Sequence, residues 1–449
     1  MHTARESHVD HAGSRRRRGS VAQLATSGYV TTAFALVTGP ITARVLGPSG
    51  RGELTAAVVY STYLAIILSL GLPTAVGYAL ATGRSGAGAL LASVLRYAGL
   101  LVVPSVVTGM YAGLALSRFT TVGRVGVAVL IGLTPVAVVG LCIEAMIRAR
   151  GELGVLTRTR FLALGFPAVA VVLLWLTGTL SVLSMTVTTV TLLALVVTYT
   201  WSRLQASPRD AEPLRPLLRY GLRSAPGMMA TAVSARLDQA LIAPILGATA
   251  LGLYSVAVTV SALPLALAWA VSTRAFAEVG TASEDDKLLV ASKYIRMALL
   301  LSIPATLGVA VASPVVMPLL YGAAFKSSLV PTLLLLPSTV ALSFLGPAEL
   351  CMSALGRPGR ASAAEGAGTA VGVVALLVLL KPLGIRGAAL ATSLDFGVSA
   401  AVLIFFYRRL GRCSLFPGRS DVLVLVGRAV VGARRSATAA RRPPRTSGG

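Results

Sequence analysis

The chain has 449 residues, 55% of them hydrophobic and only 12% charged, with a mean hydropathy of +0.79. A soluble domain carries roughly 25% charge, so this composition excludes a soluble protein and indicates an integral membrane one. The formal net charge of +24 invites a nucleic-acid reading, which the distribution of that charge along the chain opposes.

Residues 1–20 are polar and basic, with the run Arg15 to Arg18, and read as a disordered cytoplasmic N-terminus. Twelve apolar runs follow, each close to the roughly 20 residues that cross a hydrocarbon core. They lie at 21–45, 54–81, 91–116, 123–147, 161–178, 180–201, 222–246, 253–276, 295–318, 329–355, 362–381 and 386–407. The first run is preceded by too much polar sequence, and is too long, for a cleavable leader, and is expected to remain as a helix. The stretch 421–433 is too short to cross and contains Arg428; it belongs to a basic, mostly disordered tail over 410–449. With the N-terminus cytoplasmic, about 32 of the 40 Lys and Arg fall on the inner side and about 7 on the outer, in keeping with the positive-inside rule. The cations therefore orient the chain and meet anionic lipid rather than nucleic acid. Both termini are expected to be cytoplasmic, in a multi-pass protein of the cell membrane.

The chain is doubled. RVLGPSGRGELTAA at 44–57 recurs in outline as PILGATALGLYSVA at 244–257, an offset of 200 that also lays RYAGLLVVP at 96–104 onto RMALLLSIP at 296–304. A connection rich in proline and charge, 202–221, separates spans six and seven. The expected fold is an all-α polytopic membrane protein. Its N-lobe (21–201) and C-lobe (222–409) hold six helices each and are related by a pseudo-two-fold axis along the membrane normal, with a cleft between them. Gly47, Gly52, Gly247 and Gly252 read as tight structural turns on the outer side, since no Lys-Ser/Thr of a nucleotide loop follows them. Cys142, Cys351 and Cys413 show no metal spacing and read as small packing residues. All three histidines lie at or before His11 and no acid, base and nucleophile cluster together, so no enzyme and no resident cofactor or metal is expected.

TARVLGPSGRGELTAAV, LGLPTAV, ARLDQALIAPILGATALGLYSVAV, LLYGAAFKSS, MSALGRPGR and PLGIRGAALATS, in that order over roughly 21–410, resemble the polysaccharide-export, Wzx-like oligosaccharide flippases. These belong to the multidrug/oligosaccharidyl-lipid/polysaccharide (MOP) superfamily. The resemblance implies movement of undecaprenyl-pyrophosphate-linked sugars from the inner to the outer leaflet by alternating access. It also implies a monomer whose partners are the lipid-linked glycan, membrane lipids and glycan polymerases or ligases. Two departures point away from lipid II: the two extra C-terminal spans of lipid II flippases are missing, and span one has no charged residue between Val21 and Ala43.

Ionisable groups inside spans are costly, so each is a functional candidate. Arg236 and Asp238 in span seven point to different helix faces and cannot pair directly. Arg236, sharing its face with Gln239, is the candidate for a substrate's phosphates, the alternative being a structural ion pair. Thr231, Ser234 and Asp238 form one polar stripe, and Thr392, Asp395 and Ser399 another in span twelve that is expected to line the cleft. Asp238, Asp395 and Glu349 are candidates for coupling to Na⁺ or H⁺, hard cations that suit oxygen ligands, the alternatives for the two aspartates being structural pairing or a neutral, hydrogen-bonded acid. Glu144 stands four residues before Arg148, in position for a helix ion pair. Gln23, Ser27, Thr31 and Thr38 give span one a neutral polar face for sugar hydroxyls or for helix packing. The competing functions are an ion-coupled multidrug exporter of the same superfamily, a lipid II flippase, and a membrane glycan ligase or polymerase.

Overall fold

The structure, a computed structural model, describes residues 37–204, 211–283, 285–411 and 414–418. Gln23, Ser27, Thr31, Cys413, the N-terminal arm and the tail beyond 418 lie outside the described residues, as do the side chains of Thr231 and Ser234. Every regular element among the described residues is helical. In chain order they are α1 (Val37–Ser69), α2 (Leu72–Ala81), α3 (Ala87–Ala115), α4 (Thr121–Gly132), α5 (Thr134–Ala149), α6 (Leu153–Leu176) and α7 (Val182–Leu204). After the linker come α8 (Leu214–Leu246), α9 (Ala248–Ser261), α10 (Leu265–Thr281), α11 (Lys287–Tyr321), a 3₁₀ turn (Ala323–Ser328), α12 (Leu329–Ala354), α13 (Pro358–Leu383) and α14 (Ile385–Arg408).

Eight of these helices are long and apolar enough to cross a membrane, or ten when each of two bent pairs counts as one crossing. In lipid the backbone must satisfy its own hydrogen bonds, which is why the apolar sequence among the described residues is helical. The bends sit where proline opens a helix. α4 and α5 meet at 46° ahead of Pro135, and α9 and α10 at 52° around Pro264. α11 keeps one helix across Pro304, Pro314 and Pro318. α1 counts once, although Gly47 at φ 66° divides it into the end of the first expected span and the start of the second. α8, the seventh expected span, is helical but carries Arg236 and Asp238.

The two lobes have separate cores at the end that bears the linker. One cluster joins α2, α3 and α5 with Leu72, Leu90, Ile143 and Met146, and extends to Leu217 at the start of α8. Two others, around Phe344, Leu403 and Tyr407 and around Val271, Ala291 and Cys351, belong to the C-lobe. At the opposite end, which bears Gly47 and Gly247, the cores straddle the lobes. Ala56, Ala57 and Leu130 pack with Ile242, Leu251 and Tyr254, and Ala43 packs with Val256, Met317 and Tyr321.

The repeated glycines build that seam. Gly47 and Gly247 are turns with φ 66° and 91°, a conformation an L side chain resists. Gly52 and Gly252 are not turns, contrary to the expectation from sequence; both lie inside helices. A Cβ on Gly52 would overlap the carbonyl of Ala248, and one on Gly252 the carbonyl of Pro48. Positions 48 and 248 are themselves equivalent in the sequence repeat, so the contact is reciprocal. In lipid, helices associate through close packing of small residues, and this contact brings α1 and α9 to backbone distance.

Two N-lobe arginines tighten the seam. Arg44 donates to the carbonyls of Leu319 and Leu320, the latter at 2.9 Å. These groups close α11, and a cation is favoured at a helix C-terminus. Arg51 reaches Ser255 Oγ at 3.2 Å and Thr42 Oγ1 at 2.8 Å.

Candidate functional site

Arg236, Asp238 and Gln239 lie within one turn of α8 and take three directions. Asp238 turns into the C-lobe. Its carboxylate accepts a hydrogen bond from Tyr254 Oη of α9 at 2.5 Å and from Thr392 Oγ1 of α14 at 3.1 Å, and the Gln239 backbone N–H donates to Oδ1 at 2.7 Å. The Gly247 turn folds α9 back along α8 and so brings Tyr254, fully buried, opposite Asp238.

Asp395 lies on the same side of α14 and is 7% exposed. Gly368 and Gly372 of α13 make room for it, because a Cβ on Gly372 would sit 2.6 Å from Asp395 Cβ and 2.8 Å from its Oδ2. Asp238, Asp395, Thr392, Thr369 and Gly372 line a cavity of about 20 Å³ between α8, α13 and α14, room for a single water-sized guest. Asp395 is within electrostatic reach of both Asp238 and Glu365, and Glu365 in turn of Glu349. Four carboxylates thus follow one another through the C-lobe, from α8 by way of α14 and α13 to α12. No group of three His, Cys, Asp or Glu among the described residues is arranged to hold a metal ion.

Two expectations about the cleft require correction. Asp395 does not line it: the stripe of Thr392, Asp395 and Ser399 faces α8 and α13, with Ser399 3% exposed. Gln239 does not share an accessible face with Arg236, being 6% exposed while Arg236 is exposed. Arg236 stands beside the N-lobe. Tyr63 of α1 is paired with its backbone and feels its charge, and Tyr60 donates to the Ala240 carbonyl at 2.9 Å. Arg236 is also within electrostatic reach of Asp238, though the two make no ion pair among the described residues.

Glu144 and Arg148 form the expected ion pair at 2.8 Å. Glu349 is partly buried, and Ser353 donates to its backbone carbonyl at 3.0 Å rather than to its carboxylate. Cys142 and Cys351 are buried free thiols.

Four side chains of this region escaped the sequence reading. Tyr254, Tyr60 and Tyr63 are apolar-looking residues of spans whose role depends on what they face. Glu365 could have been found, because it lies inside an apolar run. A fifth residue, Glu53, is 1% exposed and structural: it accepts the Thr120 N–H and hydroxyl, both at 2.7 Å, while Thr120 caps α4 through Gly123 N–H.

Residues 41–330 match the family model described as polysaccharide biosynthesis protein. The chain belongs to that family. A curated relative, the probable low-salt glycan biosynthesis flippase Agl15 of Haloferax volcanii, is 26% identical over 242 residues, or 50% of this chain and 51% of the relative. The chain thus spans about half the length of the curated relative it matches. Among solved structures, the lipid II flippase MurJ in its inward closed conformation aligns with a TM-score of 0.72 at 13% identity, over 89% of this chain and 88% of that one. A multidrug resistance MATE family transporter of the MOP superfamily aligns at 0.66 facing inward (16% identity, 85% of this chain and 94% of that one). Facing outward, such a transporter aligns at 0.59 (16% identity, 87% and 95%). The shared architecture is the two-lobed MOP fold of a multi-pass membrane protein.

Proposed function

We propose that the protein is a flippase that carries lipid-linked glycan units, of the undecaprenyl-pyrophosphate type, from the inner to the outer leaflet of the cell membrane by alternating access. The observation that carries this reading is the family match over 41–330. The geometry supports it. With the termini and linker cytoplasmic, the lobes are joined at the outer end and separately cored at the inner end, which leaves a cleft facing the side where a glycan lipid is assembled. Arg236 is exposed beside Tyr63 at the lobe junction, and a guanidinium suits a pyrophosphate. The carrier acts as a monomer and hands its cargo to glycan polymerases or ligases on the far side.

The C-lobe cavity supplies the coupling. Two carboxylates and two threonines around a water-sized space offer oxygen ligands to Na⁺ or an acceptor to H⁺. The cation bound there biases the packing of α8 against α13 and α14, and with it the position of Arg236 two residues from Asp238. The same carboxylates favour a second reading, an ion-coupled exporter of small molecules.

Deletion of the gene separates the two. A flippase leaves a lipid-linked oligosaccharide accumulated on the inner leaflet, identified by mass spectrometry. A strain that accumulates drugs and no such lipid overturns the glycan reading in favour of the exporter.

A further inference from the structure

A second and larger cavity lies within the N-lobe. It is a slot of 370 Å³ walled by α1, α5 and α7, within the roughly 300–1,000 Å³ of small-ligand sites. Thr189, Leu193, Val196 and Thr200 line it along α7 at steps of three and four, so it runs about 16 Å along that helix. Leu141 and Glu144 of α5 and Thr62 and Ile66 of α1 face it from the other two sides.

Five hydroxyls stand in this wall, and each already donates its proton within its own helix. Ser61 and Thr62 donate to the Val58 carbonyl at 3.1 and 2.7 Å, Thr159 to Val155 at 3.0 Å, Thr189 to Met185 at 2.9 Å, and Thr200 to Val196 at 2.8 Å. With those protons committed and the remaining lining made mainly of Leu, Ile, Val and Ala, the wall is largely apolar. A glycan would lose most of its hydrogen bonds with water here and find few partners in exchange. A hydrocarbon chain fits, and a single slot takes one chain rather than the two of a phospholipid.

One end of the slot is basic. Glu144 pairs with Arg148 one turn later at 2.8 Å, Thr200 is followed by Arg203, and Thr159 is flanked by Arg158 and Arg160, so four cations stand against one carboxylate. All four arginines are exposed, and they lie at the linker end, where the cargo is loaded. An apolar slot one chain wide, ending in a rim of guanidinium groups, is complementary to a single-chain amphiphile with an anionic head.

We propose that this slot and its arginine rim bind a polyprenyl phosphate, with the phosphate-proximal isoprene units between α1, α5 and α7, the rest of the chain running on into lipid, and the phosphate at Arg148, Arg158 and Arg203. The inference rests on the flippase reading and adds to it a loading site in the N-lobe, apart from Arg236.

The test uses the full-length protein in phosphatidylcholine nanodiscs and a polyprenyl phosphate with a diazirine on an isoprene unit close to the phosphate. Photolabelling is expected in the peptides containing Leu141 and Leu193. Unlabelled polyprenyl phosphate should compete, and excess phosphatidylglycerol should not. Ala137→Phe fills the slot and should abolish labelling there. Arg148→Ala with Arg203→Ala should weaken binding about tenfold or more, the worth of one charge-assisted hydrogen bond. Labelling confined to other helices, or equal competition by phosphatidylglycerol, overturns the proposal, and neither result depends on a variant that folds. Slot variants that lose labelling but export glycan at the wild-type rate also overturn it, while leaving the flippase reading in place. Labelling as expected in a protein whose deletion causes no glycan lipid to accumulate supports the slot and removes the flippase reading.

Discussion

Gly52→Ala combined with Gly252→Ala should wedge the lobes apart at the seam between α1 and α9, which the proposed orientation places outside. Each new Cβ falls on a carbonyl oxygen of the opposing helix, Ala248 for one and Pro48 for the other. Restoring a carbon–oxygen contact of roughly 3.3 Å requires the helices to part by about 1.5 Å. Backbone cannot rotate away as a side chain can, and since one parting of the helices relieves both contacts, the overpacked seam as a whole carries a cost of about 1–3 kcal/mol. The penalty falls only on the state in which the seam is closed, and a differential of that size shifts a two-state equilibrium by roughly 5- to 150-fold. The reporter is Ala257→Cys, since Ala257 is fully buried in the seam, in a chain whose Cys142, Cys351 and Cys413 are replaced by alanine. Labelling by an impermeant maleimide added outside intact cells should accelerate by that factor. Gly99→Ala, where a Cβ meets nothing within 4 Å, should leave it unchanged. An unchanged rate in the double variant, or an equal rise in the control, would refute the account of the seam.

Arg236→Ala should abolish glycan export at normal protein levels, measured as surface glycan; intact export would remove Arg236 from substrate binding. Asp395→Asn should remove the dependence of flipping on Na⁺ or H⁺ gradients in proteoliposomes, and a wild-type protein indifferent to both gradients would dispose of coupling altogether. Glu53→Gln turns an amide N–H₂ toward the Thr120 donors it must accept from and should cost about 1–3 kcal/mol, read as a lower unfolding temperature in detergent; an unaltered melting curve would contradict its role as a helix-end acceptor. A cysteine at Ser202, exposed at the end of α7, should escape an impermeant thiol reagent in intact cells, and rapid labelling would reverse the assigned orientation.

The doubled, all-helical architecture was legible because it depends on features that a single strand of sequence records: runs of apolar residues and an offset of 200 between matching segments. The glycines were only half legible. Leu-Gly followed by a second glycine five residues on does not say which glycine turns the chain, and the one that approaches another helix declares itself only when that helix is in place. Asp238 was identified from its cost in a membrane, but its partners Tyr254 and Thr392 were not, since their distances along the chain are 16 and 154 residues. The direction of Asp395 and Gln239 was misjudged for a related reason. Helical periodicity groups residues into stripes, and it takes the neighbouring helices to decide which stripe meets the cleft. Here Gly368 and Gly372 draw α14 onto α13 and turn Asp395 away from it.

The division of α1 at Gly47 bears on how the protein is made. The segment before the glycine is the first described part to leave the ribosome, yet Ala43 packs among Val256, Met317 and Tyr321, and Arg44 is bound to a carbonyl 276 residues further on. At about 5–20 residues per second, that partner emerges roughly 15–55 s later. Until then the opening helix has only N-lobe neighbours such as Val171 and Leu180 against its Ile41 and Leu46. The N-lobe must therefore wait, inserted but unfinished at one edge, with an arginine and an unfilled apolar surface exposed. Truncated chains that end before α11 should be recognised and degraded by membrane quality control, whereas chains that reach Phe325 can complete the helix begun first.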